Sequence, residues 1–173
     1  MLFEEIYHSF SKQVYNLALH YLQHQQDAQD VTQEVFVAIF SSYDKFENRS
    51  SLQTWIYRIT VNKCLDTIRS KKRRARLGGW ISFFNPNEQE AIQPAEFNHP
   101  GVQVEQKEQL RKMFDCINSL SEQHKTVLIL SKIMKWSQVE VAAVMETTPK
   151  AVESMLQRAK MALDKKLKEM EGK

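Results

Sequence analysis

Glycine and proline are scarce in this chain, four of each in 173 residues. Scarcity of both excludes collagen-like and turn-rich β folds, which need frequent breaks and left-handed positions. Cysteine is scarcer still: Cys64 and Cys116, without CxxC spacing. They are expected to be small core residues of a reduced, cytoplasmic protein rather than a disulfide. No run approaches the roughly 20 apolar residues of a membrane span. Met1-Leu2-Phe3 leads directly into Glu4 and Glu5, which does not read as a leader peptide. The Gly pattern of a P-loop, a metal-ligand cluster and a Ser/His/Asp arrangement are also missing. No catalytic residue, metal or cofactor is therefore expected. His20 and His24 sit four apart without a third ligand and read as a solvated helix end.

What is present is charge, and it is partitioned. Residues 1–48 carry two bases against seven acids, net −5. Residues 49–76 carry nine bases against one acid, Asp66, net +8. Residues 77–110 carry one base against five acids, net −4, and residues 111–173 twelve against eight, net +4. The whole chain is only +3. Alternating blocks of this kind imply more than one charged partner.

Apolar residues from Leu2 to Leu22, at helical spacing, predict a first helix. Asp27 reads as the N-cap of a second, running to about Phe40. Its Ala28, Val31, Thr32, Val35, Phe36, Ala38 and Ile39 share one face, and Asp30, Gln33, Glu34 and Val37 the other. Acids around a valine fit a protein contact, with charge for steering and valine for burial. An ordinary solvated face fits as well. The following loop sets Phe46 beside Asn48, Arg49 and Ser50, a composition suited to an unstacked base or to a plain turn. Over Ser51–Arg76, Tyr57, Val61, Cys64, Leu65 and Ile68 form a seam at about 100° per residue. Trp55, Asn62, Asp66, Arg69 and Arg73 cluster opposite. That is the make-up of a helix held against nucleic acid, or of a solvated basic helix end.

Gly78-Gly79, Pro86, Pro94 and Pro100 punctuate a linker over 78–101. Trp80, Ile81, Phe83 and Phe84 inside it are expected to dock on this chain or on a partner. Helices are predicted again over 102–118 and from Glu122 to about Met134, with Ser119-Leu120-Ser121 as turn and cap. In WSQVEVAAVMETTPKAVESMLQRAKMAL, Ser137 and Glu140 form a capping box. Val139, Ala142, Ala143 and Met145 read as the core face of the helix it starts. Thr148 caps the next helix and Pro149 opens it. There Val152, Leu156, Ala159 and Leu163 form the buried stripe, while Lys150, Glu153, Ser154, Gln157, Arg158 and Met161 project outward. This is a helix-turn-helix, whose second helix enters the major groove.

The ordered set resembles the extracytoplasmic-function sigma factors, promoter-specificity subunits of bacterial RNA polymerase. Asp27–Phe36 (DAQDVTQEVF) looks like their core-binding helix, and Thr54–Asn62 (TWIYRITVN) like the start of their −10 helix. Leu120–Leu128 (LSEQHKTVL) and the helix-turn-helix look like their −35 domain. The resemblance implies an all-α chain of two small domains, 1–77 and 105–173, joined by a linker over 78–104. It implies core polymerase as partner, held at the β′ clamp helices and the β flap, with Asp30, Gln33, Glu34 and Val37 as contacts. Phe46, Asn48, Arg49, Ser50, Trp55, Asn62, Arg69, Arg73 and Arg74 would hold melted −10 DNA. Lys150, Glu153, Ser154, Gln157 and Arg158 would read −35 duplex. It further implies an anti-sigma factor as regulator, and contact with a membrane only through that partner. Where Glu153 and Met155 stand the family usually has Lys and Arg, and where Glu146 stands a Gly is common. Two missing cations imply weaker phosphate affinity, and Glu146 implies strain in the turn.

Two other functions fit parts of the chain. A dimeric repressor or activator would use the helix-turn-helix alone and leave the acidic helix and residues 49–76 without a role. A nuclease would need metal-binding carboxylates, for which Asp27, Asp30 and Glu34 are the only cluster.

Overall fold

The computed structural model describes residues 3–47, 49–84 and 104–171, and only the backbone of 78–84, 104–107 and 171. Every regular element among the described residues is helical. Helices α1 (Phe3–Leu22) and α2 (Gln25–Ser42) lead through a 3-10 turn at Tyr43–Lys45 to the 33-residue α3 (Leu52–Phe84). Then come α4 (Val104–Asn118), α5 (Glu122–Leu128), α6 (Gln138–Val144) and α7 (Pro149–Glu171). After α5 the chain widens into a π turn at Ile129–Ile133, where the Met134 N–H reaches the Ile129 carbonyl at 2.9 Å. Two compact units result, Met1–Lys45 with Ile59–Glu96, and Phe46–Arg58 with Phe97–Lys173.

In the first unit α1 buries Ile6, Val14, Leu17, Ala18 and Tyr21, and α2 buries Ala28, Val31, Val35, Phe36 and Ile39. Val61 and Cys64 of α3 join them. Each large side chain among these contributes about 1.5–3 kcal/mol by leaving water. The α1–α2 corner is built by Gln23, which stands at φ 54° and is buried. Its side-chain amide donates to the His20 carbonyl at 2.8 Å and the Leu19 carbonyl at 3.2 Å, closing the open end of α1. The N-cap of α2 is His24, not Asp27: the imidazole Nδ1 accepts from the Asp27 N–H at 3.3 Å. Gln25 and Gln26 carry no breaker chemistry, so the helix begins earlier and an imidazole nitrogen replaces the expected carboxylate.

In the second unit Val127, Leu128, Ile129 and Leu130 pack with Val141, Ala142, Val144, Val152 and Ala159. Ser121 caps α5 and Thr148 caps α7, as the sequence predicts. Val139 departs from expectation: it is 67% exposed, and Val141, Ala142 and Val144 carry the core face of α6 instead. Seven residues give under two turns, too few for spacing to fix which face lies inward. Lys125 is buried and its ammonium donates to Asn118 Oδ1 at 2.6 Å, a polar core contact that periodicity does not reveal.

Helix α3 also runs on through Gly78-Gly79 to Phe84, past the boundary read at Gly78. Glycine costs a helix only about 1 kcal/mol per residue, and the first true breaker, Pro86, lies two residues beyond Phe84. The docking expected for Trp80, Ile81, Phe83 and Phe84 lies outside the described side chains. Cys64 and Cys116 are both buried, and neither is part of a disulfide.

Candidate nucleic-acid and polymerase interface

Three exposed faces gather the residues singled out from sequence. The first is on α2. Asp30, Gln33, Glu34 and Val37 all reach solvent, and Val37 is 66% exposed beside an equally bare Phe40 at 69%. Asp30 accepts from Gln26 Nε2 at 3.0 Å. Glu34 pairs with Lys63 of α3 at 3.2 Å, and Asp27 pairs with Lys71 of the same helix. The acidic face therefore presents exposed apolar side chains next to a row of carboxylates, two of them tied to α3.

The second face lies on the loop and α3. Ser51 caps this helix: its hydroxyl accepts from the Thr54 N–H at 3.1 Å, and its carbonyl from the Trp55 N–H. Phe46 and Trp55 stack with ring centres 4.9 Å apart, so the loop aromatic and the helix aromatic form one half-exposed platform. Arg49 pairs with Glu47 at 2.6 Å, both exposed, and Ser50 follows. Asn48 lies outside the described residues. Further along, Asn62, Arg69, Arg73 and Arg74 are exposed, and Arg69 pairs with Asp66 at 3.1 Å. On the inner side Ile56 and Thr60 are fully buried, extending the seam of Tyr57, Val61 and Cys64; Leu65 and Ile68 are half-buried. Burial raises the Tyr57 phenol above its ordinary value, and its ring packs on Trp136 at 4.4 Å.

The third face is the helix-turn-helix. Ser137 Oγ accepts from the Glu140 N–H at 3.3 Å, while the Glu140 carboxylate accepts from the Ser137 N–H at 2.8 Å and its hydroxyl at 2.7 Å. Those bonds hold the Glu140 carboxyl below the usual carboxylate value of 4.5. A depressed folded value means the stabilisation is present above the unfolded value and lost as pH falls through the folded one. E140Q is expected to flatten the acid limb of a plot of melting temperature against pH. An acid limb identical to that of the wild type would refute the assignment.

The turn itself is strained where the sequence implied it. Glu146 stands at φ 53°, and the Thr147 N–H reaches the Ala142 carbonyl at 3.0 Å, closing a Schellman motif. A β-carbon in this conformation costs roughly 1–2 kcal/mol that glycine avoids. In partial compensation the Glu146 carboxylate meets Arg58 at 3.0 Å, and the Arg58 guanidinium also donates to the Ala143 carbonyl at 2.6 and 3.0 Å. Glu146 is 72% exposed, so its ion pair is worth little. Glu146→Gly is expected to stabilise this unit by about 1 kcal/mol, read as a higher urea midpoint. A lower midpoint would show that the Arg58 contact outweighs the strain.

Past the turn, Lys150, Glu153, Ser154, Gln157 and Arg158 are all exposed on α7, and Met161 is 72% exposed beyond them. Val152 and Ala159 are fully buried, with Leu156 half-buried between them. Arg58, Lys63, Lys71 and Lys125 engage partners that spacing along the chain could not foretell. Among the described residues no group of three His, Cys, Asp or Glu side chains could hold a metal ion.

The family model for sigma-70 region 2 matches residues 6–74, and that for sigma-70 region 4 matches residues 110–163. The chain is 30% identical over 154 residues to the ECF RNA polymerase sigma factor SigG of Mycobacterium tuberculosis, covering 79% of this chain and 41% of that one. It thus spans about two fifths of the length of the SigG proteins it matches. It is 25% identical over 168 residues to the ECF RNA polymerase sigma factor SigW of Bacillus subtilis, covering 97% and 90%. Its fold is shared with the sigma factor RpoE of Bartonella quintana, solved with the anti-sigma factor NepR. The TM-score there is 0.63 at 22% identity, over 96% of each chain.

Proposed function

Because the chain belongs to the sigma-70 family of sigma factors, we propose that it is a non-enzymatic initiation factor of the extracytoplasmic-function group. It attaches to core RNA polymerase and directs it to promoters from the cytoplasm. The observation that carries this reading is the presence, in one chain and in order, of both matched regions. Each also displays an exposed face of the right chemistry. The acidic face of α2, with Asp30, Gln33, Glu34 and Val37, docks on the β′ clamp helices, and the β flap of the polymerase is a further contact. The Phe46–Trp55 platform, with Asn48, Arg49 and Ser50, takes an unpaired −10 base, trading lost base stacking for aromatic stacking. Asn62 reads an adjacent base edge, and Arg69, Arg73 and Arg74 hold backbone phosphates. Residues 105–173 read the −35 duplex through Lys150, Glu153, Ser154, Gln157 and Arg158, and 78–104 joins the two parts.

Strand opening is then driven by binding alone, without nucleotide hydrolysis. An anti-sigma factor is the proposed regulator, supported by the solved RpoE–NepR complex of the same fold. Run-off transcription with purified core polymerase and promoter fragments selected from random DNA tests the whole reading. Absence of any promoter-dependent transcript would overturn it. Sequence-specific binding to a two-fold site without polymerase would point to a repressor instead.

A further inference from the structure

The register of α7 is fixed at its start. Thr148 Oγ1 accepts from the Ala151 N–H at 3.2 Å and Pro149 opens the helix, so Glu153 stands in the second turn. Val152 and Ala159 are fully buried and define the inward side. At 100° per residue, Lys150, Ser154 and Gln157 lie within about 40° of the opposite, outward direction. Arg158 lies about 70° to one side of that direction, and its Nε donates to the Ser154 carbonyl at 3.3 Å. Glu153 lies about 70° to the other side, one turn before Gln157. Glu153 and Gln157 are both exposed, and among the described residues neither has a hydrogen-bond or ion-pair partner.

A recognition helix sets its first turns against base edges, between two walls of phosphate. An ionised carboxylate there has two possible surroundings. Against phosphate it meets only acceptors and is repelled. Against base edges it needs a donor, and the major groove offers two: the N4 amino group of cytosine and the N6 amino group of adenine. Adenine sets its acceptor N7 beside N6, and a carboxylate has no N–H to give that nitrogen. Cytosine sets only a C–H beside N4. Gln157, whose amide donates as well as accepts, matches adenine instead. Nothing within the described chain neutralises Glu153, so pressing it against a base without a donor would leave an unpaired charge out of water. That cost makes the choice of base strict.

We propose that Glu153 is a specificity-determining residue of the −35 interface. Its carboxylate accepts the N4–H of one cytosine and so fixes a C·G pair at that position. The assignment rests on the reading of α7 as the −35 helix and adds to it the identity of one base. Cytosine should be favoured over the other bases by about 5–50-fold, the lower part of the range for a bidentate pair, because a single N–H is shared.

The test is selection and binding of −35 duplexes by the holoenzyme, reconstituted from core polymerase and the full chain. From random DNA the wild type should select cytosine at one −35 position. E153A should lose that preference and keep the others. E153Q, which preserves the size of the side chain, should shift it towards adenine. Q157A should keep the cytosine and lose a different base. Replacing the cytosine by 2-pyrimidinone, which lacks the N4 amino group, should weaken wild-type binding by about 5–50-fold and leave E153A nearly unchanged. A carboxylate that merely repels phosphate predicts otherwise: E153A and E153Q would both bind every −35 duplex more tightly and select the wild-type sequence. That result would overturn the assignment, as would loss of the cytosine in Q157A but not in E153A. Failure of the wild type to select any −35 element would sink the underlying reading instead, so the two failures are distinguishable.

Discussion

Reversing two carboxylates of α2, as D30K/E34K, is expected to weaken binding of core RNA polymerase by about 100-fold or more. Asp30 and Glu34 stand on the exposed side of α2, with Val37 one turn on and 66% bare. Close charge pairs across protein interfaces couple by about 1.5–7 kcal/mol. Turning two attractions into repulsions therefore removes at least about 3 kcal/mol, two decades in affinity. The fold should tolerate the change, because the buried stripe from Ala28 to Ile39 is untouched. Losing the Glu34–Lys63 pair costs at most about 1 kcal/mol, since both side chains are more than a third exposed. The measurement is a titration of fluorescently labelled protein with core polymerase, alongside a melting curve. A dissociation constant within threefold of the wild type, in a folded variant, would remove α2 from the interface.

The second large effect separates two roles within α3. R69Q/R73Q/R74Q is expected to reduce the salt slope of promoter binding by about 2–3 units, because each neutralised phosphate contributes about 0.7–0.9. The side chains of Arg69, Arg73 and Arg74 are exposed, and Arg69 pairs with Asp66 at 3.1 Å. N62A should leave that slope in place and change which base is preferred at one −10 position, by about 1–3 kcal/mol. Asn62 carries an amide with donor and acceptor and no charge, so it can read an edge and cannot neutralise phosphate. Binding of variant −10 fragments across a salt series decides the matter. If the arginine and asparagine variants altered slope and preference alike, the division of labour would be wrong.

Much of this arrangement was legible because the chain is built from long amphipathic helices with orthodox caps. The α2 faces, the Ser137–Glu140 box, Thr148 with Pro149, and the α7 stripe all follow from local rules that the fold does not override. What escaped has physical causes of its own. His24 displaced Asp27 as a cap because the helix starts at Gln25, which puts the imidazole nitrogen, also an acceptor, at the capping position. Val139 fell on the wrong side because a helix of seven residues gives too little periodicity. The π turn at Ile129–Ile133 leaves no trace in a pattern of apolar residues, yet it displaces everything after it around the axis.

The pairing of Glu34 with Lys63 has a thermodynamic consequence. One member lies on the face assigned to polymerase, the other on the helix assigned to DNA. A polymerase cation that captures Glu34 leaves Lys63 without its counterion and free to meet a phosphate. A phosphate that takes Lys63 first releases Glu34 in turn. On the proposed reading, the two ligands would favour each other by exchanging partners, without any movement of the backbone. Linkage makes the effect equal in both directions, and a surface pair of under about 1 kcal/mol limits it to roughly fivefold. On the proposed reading, the chain would hold promoters up to about fivefold more weakly by itself than on the polymerase.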